Sequence, residues 1–170
     1  MRKILLALCV LAAVLLDYLL FPGLGLSRIA PDALIALLVS LSVLTGLLPA
    51  VPIAAILGLL IDIAFNRFIG MSAIPLFVSA LAGSVFYGRF YADNIVIPAV
   101  TAAAAAFLKE LFLLAALLFS GGRVSGYFAL FALHILPASL LTGALCALIH
   151  LLFKNKLLRS SFRLDIDYLR

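Results

Sequence analysis

Charged residues are scarce in this chain of 170 residues: they make up 11% of it, whereas hydrophobic residues make up 67%. Soluble domains are typically about 25% charged and about 45–50% apolar. Because a helix needs about 20 mostly apolar residues to cross about 30 Å of hydrocarbon, the apolar sequence is long enough for several crossings. The composition therefore excludes a soluble domain and predicts one integral membrane domain in a lipid bilayer.

Cysteine and the familiar catalytic motifs are also scarce. The two cysteines, Cys9 and Cys146, lie within apolar runs, where a free cysteine behaves as a small buried hydrophobic residue, so they imply no disulfide framework. The sequence contains no G-x-S-x-G, H-E-x-x-H or Walker motif, which argues against an enzyme. His134 and His150 lie nearly opposite each other on one helix and cannot share a metal ion, so no metal or other cofactor is predicted.

Proline and glycine residues divide the apolar sequence into an all-α bundle of about six predicted transmembrane helices. Pro31 and Asp32 favour the start of the second helix, because proline fits a first helical turn and an acid favours its positive end. The segment TGLLPAVP, with Pro49 and Pro52, predicts a tight turn between the second and third helices. The predicted spans are 4–21, 31–45, a third that follows this turn and ends near 65, 71–87, 95–119 and 127–153.

Basic residues are distributed unequally between the two sides of this bundle. Arg28, Arg67 and Arg123 fall in loops on one side, whereas eight basic residues fall on the side of the N-terminus. Cytoplasmic loops carry an excess of lysine and arginine, so both termini are predicted to be cytoplasmic. No basic groove with interleaved aromatic residues predicts nucleic-acid binding. The eight residues are Arg2, Lys3, Arg89, Lys154, Lys156, Arg159, Arg163 and Arg170.

The chain is predicted to consist of a transmembrane bundle, residues 1–153, and a basic cytoplasmic tail, residues 154–170. In the tail, apolar residues at helical spacing alternate with basic ones, which suits a short amphipathic helix on the inner leaflet. An ordinary basic stop-transfer tail is the alternative. The apolar positions are Leu158, Phe162, Ile166 and Leu169.

Three acidic residues within the predicted spans each continue a stripe of small residues. Small residues at every fourth position let another helix approach closely. A charge at the centre of a bilayer costs at least about 2.5–3.5 kcal/mol, so these acids are predicted to face protein. The stripes are Cys9, Ala13 and Asp17; Ala50, Ala54, Gly58 and Asp62; and Ala102, Ala106 and Glu110.

The depth of the charged residues predicts a polar layer near the outer membrane surface. Asp17 and Asp62 fall about one turn below that surface, Asp32 opens a helix there, and Arg67 follows in the adjoining loop. Two interpretations stay open for Asp17 and Asp62: a hydrogen bond or ion pair that fixes helix packing, or direct contact with a ligand or partner. For Asp62 we predict a packing anchor that accepts hydrogen bonds or an ion pair from another helix or loop.

Lys109 and Glu110 are predicted to lie deeper than this layer. As sequence neighbours they point about 100° apart on a helix, so they are poorly placed to pair with each other. Each is therefore predicted to need a partner elsewhere in the bundle.

The fourth span carries a small-residue stripe without an acid, formed by Ala80, Ser84 and Gly88. Because no buried charge occupies this face, it is predicted to be a groove that receives the hydrophobic span of a partner protein.

The order of several motifs resembles the rod shape-determining protein family MreD of bacteria. These motifs are APDALIALLVSLSVLTG and ILGLLIDIAFNRFIGMSAIPLFVSALAG, followed by a long span rich in alanine and leucine. The resemblance implies a non-enzymatic subunit of the cell-elongation machinery in the bacterial inner membrane. It further implies binding to MreC, which connects MreB filaments to the peptidoglycan synthase RodA and its penicillin-binding protein. Homo-oligomerisation stays open.

A transport function is the alternative. Small six-span proteins include the substrate-capturing subunits of energy-coupling-factor vitamin transporters, and a ligand of such a subunit would enter at an outer polar layer. Against this alternative, few aromatic and polar residues converge beside Asp17, Asp32 and Asp62.

Overall fold

The computed structural model describes residues 2–23, 30–65, 69–87, 94–119 and 131–153. Throughout these residues the secondary structure is helical, with short turns between helices. The six main helices agree with the positions of the six predicted spans. They are α1 (Arg2–Leu15), α2 (Ala33–Thr45), α3 (Leu47–Phe65), α4 (Ala73–Val85), α5 (Val96–Phe119) and α6 (Leu136–Leu152).

Two π-helical segments extend the first and last of these helices. Leu16–Leu20 continues α1, followed by one α-helical turn at Phe21–Gly23, and Phe131–Ile135 leads into α6. A π-helical turn adds a residue relative to the α-helix and often occurs at functional sites. Asp17 lies in the first of these segments.

The turn between α2 and α3 is shorter than the proline residues predict. Within the described residues it consists of Gly46 alone, at φ 83°, and α3 already begins at Leu47. The predicted turn over residues 45–52 is therefore wrong. Pro49 lies in the first turn of α3, where its missing N–H has no helical acceptor, and Pro52 costs one hydrogen bond within the helix.

Helix α2 lies at the centre of the bundle. It packs against α1, α3, α4, α5 and α6, and nearly all of its side chains are buried. Two of its hydroxyl groups form hydrogen bonds with carbonyls of the same helix: Ser42 Oγ donates to the carbonyl of Val39 and Thr45 Oγ1 to that of Leu41. A helix that is apolar on every face belongs inside a larger bundle.

Three of the helical segments in the described residues are long and apolar enough to cross a membrane. They are Leu47–Phe65, Val96–Phe119 and Leu133–Leu152. Helices α2 and α4 have 13 residues each, about 20 Å at the rise of an α-helix, which is shorter than the hydrocarbon layer.

Several predictions concern residues outside the described ranges. They are the outer-loop arginines, including Arg67, the third member of the fourth-span stripe, Gly88, and the cytoplasmic tail, residues 154–170.

Candidate functional site

Asp62 holds the start of α4. Its Oδ2 accepts hydrogen bonds from the backbone N–H groups of Gly70 (2.7 Å) and Ala73 (3.1 Å), and its Oδ1 accepts one from Ser72 (2.7 Å). The residue is 1% exposed. The first N–H groups of a helix have no acceptor within it, so a carboxylate at this position satisfies donors that would otherwise be buried without partners. We call this arrangement the Asp62 cap.

The sequence around Asp62 explains how α4 comes so close. The small residues Ala50, Ala54 and Gly58 of its stripe are all buried. A Cβ on Gly58 would overlap the backbone of Ala73, the first residue of α4. Gly70 adopts φ 105°, which favours glycine, and this turn directs its N–H toward the carboxylate. The stripe thus predicts the packing face, and the glycines permit the contact.

A second carboxylate, Asp17, holds the start of α2 in the same way. Its Oδ1 accepts a hydrogen bond from the N–H of Ala33 (2.8 Å) and its Oδ2 one from Leu34 (2.9 Å). Asp32 is the N-cap residue of α2, and its Oδ1 accepts from Ile35 (2.9 Å). Two acids therefore satisfy three successive N–H groups. We call this arrangement the Asp17 cap.

The Asp17 cap also contacts the later helices. Lys109 of α5 forms an ion pair with Asp32 Oδ2, and the N–H of Asp32 donates to Thr142 Oγ1 of α6 (2.9 Å). The prediction that Lys109 has a partner away from Glu110 agrees with this contact. The Lys109 ammonium group therefore joins the same polar cluster as Asp17 and Asp32, and the greater depth of Lys109 and Glu110 stays a prediction. The start of α2 thus joins α1, α5 and α6.

Tyr18 connects the two caps. Its hydroxyl lies 3.4 Å from Ser72 Oγ, beside the start of α4. Its ring stacks on Phe65 of α3 with centroids 4.5 Å apart. A residue adjacent to Asp17 therefore contacts the loop and the helix end that surround Asp62.

A cavity of about 200 Å³ lies beside the Asp17 cap, and we call it the polar cavity. Charged residues from three elements line it together with two aromatic side chains. The charged members, Asp17, Asp32, Lys109 and Glu110, were all candidates from the sequence. The full lining is Asp17, Tyr18, Phe21, Ala30, Pro31, Asp32, Leu34, Ser72, Leu76, Lys109 and Glu110.

The predicted groove on α4 is occupied by the chain itself. Ala80 is 0% exposed and Ser84 is 8% exposed. At the neighbouring Gly83, a Cβ would meet Val39 and Ser42 of α2, so α2 covers this face. The small residues do permit close approach, but the helix that approaches is internal. The prediction that Ala80 and Ser84 line an open groove is therefore wrong.

An open apolar groove lies instead between α1 and α3. It has a volume of about 680 Å³, and we call it the apolar groove. Its lining combines residues of α1 and α3 that are partly or largely exposed with the buried Ile61. The lining residues are Val10, Leu11, Val14, Ile53, Ile56, Leu57, Leu60, Ile61, Ala64 and Phe65.

The histidines and cysteines do not form a metal centre in the part of the chain that the structure describes, where no three metal-binding side chains come together. His150 is fully buried, with Nδ1 3.3 Å from Ser40 Oγ of α2. Cys146 Sγ donates to the carbonyl of Pro98 (3.4 Å). These contacts join α6 to α2 and α5.

Sequence reasoning did not single out Thr142, Tyr18 or Ser72. Thr142 is one polar residue among apolar ones and gives no local signal. Ser72 precedes α4 at the N-cap position, where serine is common, although its side chain makes no capping hydrogen bond there.

Comparison with known proteins adds no identity to this geometry. No family model, no curated protein and no solved structure matches the chain.

Proposed function

We propose that the chain is a non-catalytic scaffold subunit of the bacterial cell-elongation machinery, placed in the inner membrane with six spans and both termini in the cytoplasm. In this role it binds MreC and helps to couple MreB filaments to peptidoglycan synthesis by RodA and its penicillin-binding protein. The resemblance of the sequence to MreD supports the proposal. The proposal is also supported by the buried polar groups of the bundle, which form hydrogen bonds with the starts of neighbouring helices.

The scaffold function rests on one observation, the hydrogen bonds that the buried Asp62 carboxylate accepts. This carboxylate, the most conspicuous charge in the third span, is enclosed by backbone donors and 1% exposed. A group held this way fixes helix packing and is not accessible to a substrate. A rigid bundle whose charges set its helix positions suits a protein that presents a surface to partners.

The apolar groove is the surface that we assign to the single membrane span of MreC. Its α3 side extends from Ile53 to Phe65, about 20 Å along the helix axis. A second hydrophobic helix needs an apolar surface of about this length to pack inside a bilayer, where close side-chain contact drives association. The groove therefore replaces the α4 stripe as the docking surface.

Blocking the groove tests this assignment. Ala64 is an exposed residue of the groove and Ala104 is an exposed residue of α5, which does not line it. Ala64→Trp fills the groove, so we expect it to reduce co-purification of MreC by a factor on the order of five or more, as a steric block does. Ala104→Trp should leave co-purification of MreC unchanged. Both variants are checked for wild-type thermal midpoints in detergent.

The outcomes separate the two parts of the proposal. Equal co-purification of MreC by Ala64→Trp and Ala104→Trp would exclude the apolar groove as the docking surface but would leave MreC as the partner. Absence of MreC from purified wild-type protein, together with normal rod shape after depletion of the chain, would contradict the scaffold function.

The polar cavity keeps a second function under consideration: the capture of a small molecule for an energy-coupling-factor transporter. Binding of a small molecule by the purified chain, with no co-purification of MreC, would favour this alternative.

A further inference from the structure

The polar cavity is large enough for a small organic group. An engineered cavity of about 150 Å³ in another protein holds benzene, so 200 Å³ has room for about six to eight non-hydrogen atoms. A guanidinium or ammonium group on a short alkyl chain is of this size.

The described lining of the polar cavity contains three carboxylates, Asp17, Asp32 and Glu110, and one ammonium group, Lys109. The Asp17 carboxylate accepts two backbone hydrogen bonds at the positive end of α2. Asp32 is paired with Lys109. Among the described residues, no hydrogen bond or ion pair reaches the Glu110 carboxylate, although it borders the same cavity. Within the described residues, the three carboxylates of the lining therefore outnumber its single lysine, and a bound cation would reduce this excess of negative charge.

Aromatic side chains add a second feature of cation sites. Tyr18 and Phe21 line the polar cavity together with Glu110. The faces of aromatic rings attract ammonium and guanidinium groups within about 6 Å. The described residues bring together no three side chains that could hold a metal ion, so this lining suits an organic cation better than a metal.

We propose that the polar cavity binds one guanidinium or primary ammonium group, with Glu110 as its ionic partner and the rings of Tyr18 and Phe21 beside it. The cation has two sources, a free small amine or guanidine and a lysine or arginine side chain of a partner protein. The inference goes beyond the scaffold function, because binding of the cation by the isolated chain does not require MreC.

Titration calorimetry on the purified full-length chain in a nonionic detergent tests the proposal. The probes are n-butylguanidinium and n-butylammonium, with n-butylurea as the neutral probe of similar shape. We expect both cations to bind and the urea not to bind. Glu110→Gln should weaken cation binding about tenfold, the loss of one partly buried charge contact.

Ala104→Gln is the control, because it places the same amide side chain at an exposed position of α5 that does not line the polar cavity. Its cation affinity should stay within about twofold of wild type, the ordinary scatter for a site without shared contacts. All titrations are made well below the thermal midpoint of each variant, and Glu110→Asp, which keeps the charge, should bind more tightly than Glu110→Gln.

The source of the cation is determined by repeating the titration with MreC bound. Competition between MreC and n-butylguanidinium identifies a partner side chain, and a co-purifying amine found by mass spectrometry identifies a free compound. Equal binding of the cations and the urea by wild type, no binding of either cation, or an unchanged affinity of Glu110→Gln would each overturn the proposal. None of these outcomes bears on co-purification of MreC by Ala64→Trp.

Discussion

The Asp62 cap and the Asp17 cap use the same device in different surroundings. In each, a carboxylate from one helix accepts hydrogen bonds at the start of a following helix of 13 residues. Asp62 is almost completely enclosed, whereas Asp17 is only partly buried and borders the polar cavity. The comparison shows that the same hydrogen bonding to backbone N–H groups occurs in a closed site at Asp62 and beside open space at Asp17.

The two caps also differ in where their partners lie in the sequence. Asp62 finds its donors 8 to 11 residues away, in one loop and the helix that follows it. The Asp17 cap includes Lys109 and Thr142, which are 77 and 110 positions from Asp32. The first cap is a local structure, and the second depends on assembly of the whole bundle.

The largest expected effect comes from removing the closed cap. Asp62→Leu leaves three backbone N–H groups without their acceptor, and we expect it to lower the free energy of unfolding by about 3 kcal/mol, a value reduced by substitute partners in the membrane-unfolded state. Asp62→Asn should lose less, since its amide oxygen still accepts. Thermal unfolding in detergent measures both, and equal midpoints for the two variants would contradict the anchor role of Asp62.

Breaking the ion pair of the open cap should have the next largest effect. Lys109→Met leaves the Asp32 carboxylate partly buried and unpaired, which costs about 2 kcal/mol of stability. Adding Asp32→Asn should recover about half of this loss, because asparagine still caps α2 without a charge. A double-mutant cycle on thermal stability provides the measurement. If the double variant is no more stable than Lys109→Met, the ion pair with Asp32 is not the contact through which Lys109 stabilises the bundle.

Close approach at the closed cap can be tested without touching an acid. Gly58→Ala places a methyl group against the backbone of Ala73, so we expect it to lower stability by about 1–2 kcal/mol. Gly23→Ala is the matched control, because no atom of the described residues lies within 4 Å of its Cβ position. Hydrogen exchange at the start of α4 should rise in the first variant alone. Identical exchange in both variants would mean that Gly58 does not set this contact.

The smallest effect is expected for Asp17→Asn. Its amide oxygen can accept one of the two N–H groups, and water in the polar cavity can accept the other, so the loss should be below about 1 kcal/mol. Asp62→Asn should lose more, because it has no cavity beside it. Hydrogen exchange at Ala33 and Leu34, compared with exchange at Ser72 and Ala73, distinguishes the two. A larger loss for Asp17→Asn would reverse the comparison.

Local features of the sequence predict much of the fold. Pro31 and Asp32 mark the start of α2, and the stripe ending at Asp62 identifies the face that packs on α4. Both signals act within a few turns of helix, where residue spacing translates directly into position. The turn at Pro49 and Pro52 was predicted wrongly because Pro49 lies in the first turn of α3, where proline is tolerated, and because the helix continues through Pro52 despite the lost hydrogen bond.

The contacts of the polar cavity could not be predicted in this way. Lys109 and Asp32 meet only because α5 packs beside the start of α2, and nothing in the residues around either one specifies that distance. The prediction from Ala80 and Ser84 has a similar limit. Small residues predict close approach by a helix, but they do not indicate whether that helix belongs to the same chain or to another protein.

The order in which the chain is made favours Asp17 and Asp62. Each acid is synthesised before the helix that it caps, so its carboxylate is already present when the N–H groups of α2 and α4 are made. Asp32 is in the opposite position, because its counter-charge lies on α5 and its acceptor Thr142 lies on α6. Among the described residues, the ion-pair partner of Asp32 is therefore made only when α5 is synthesised.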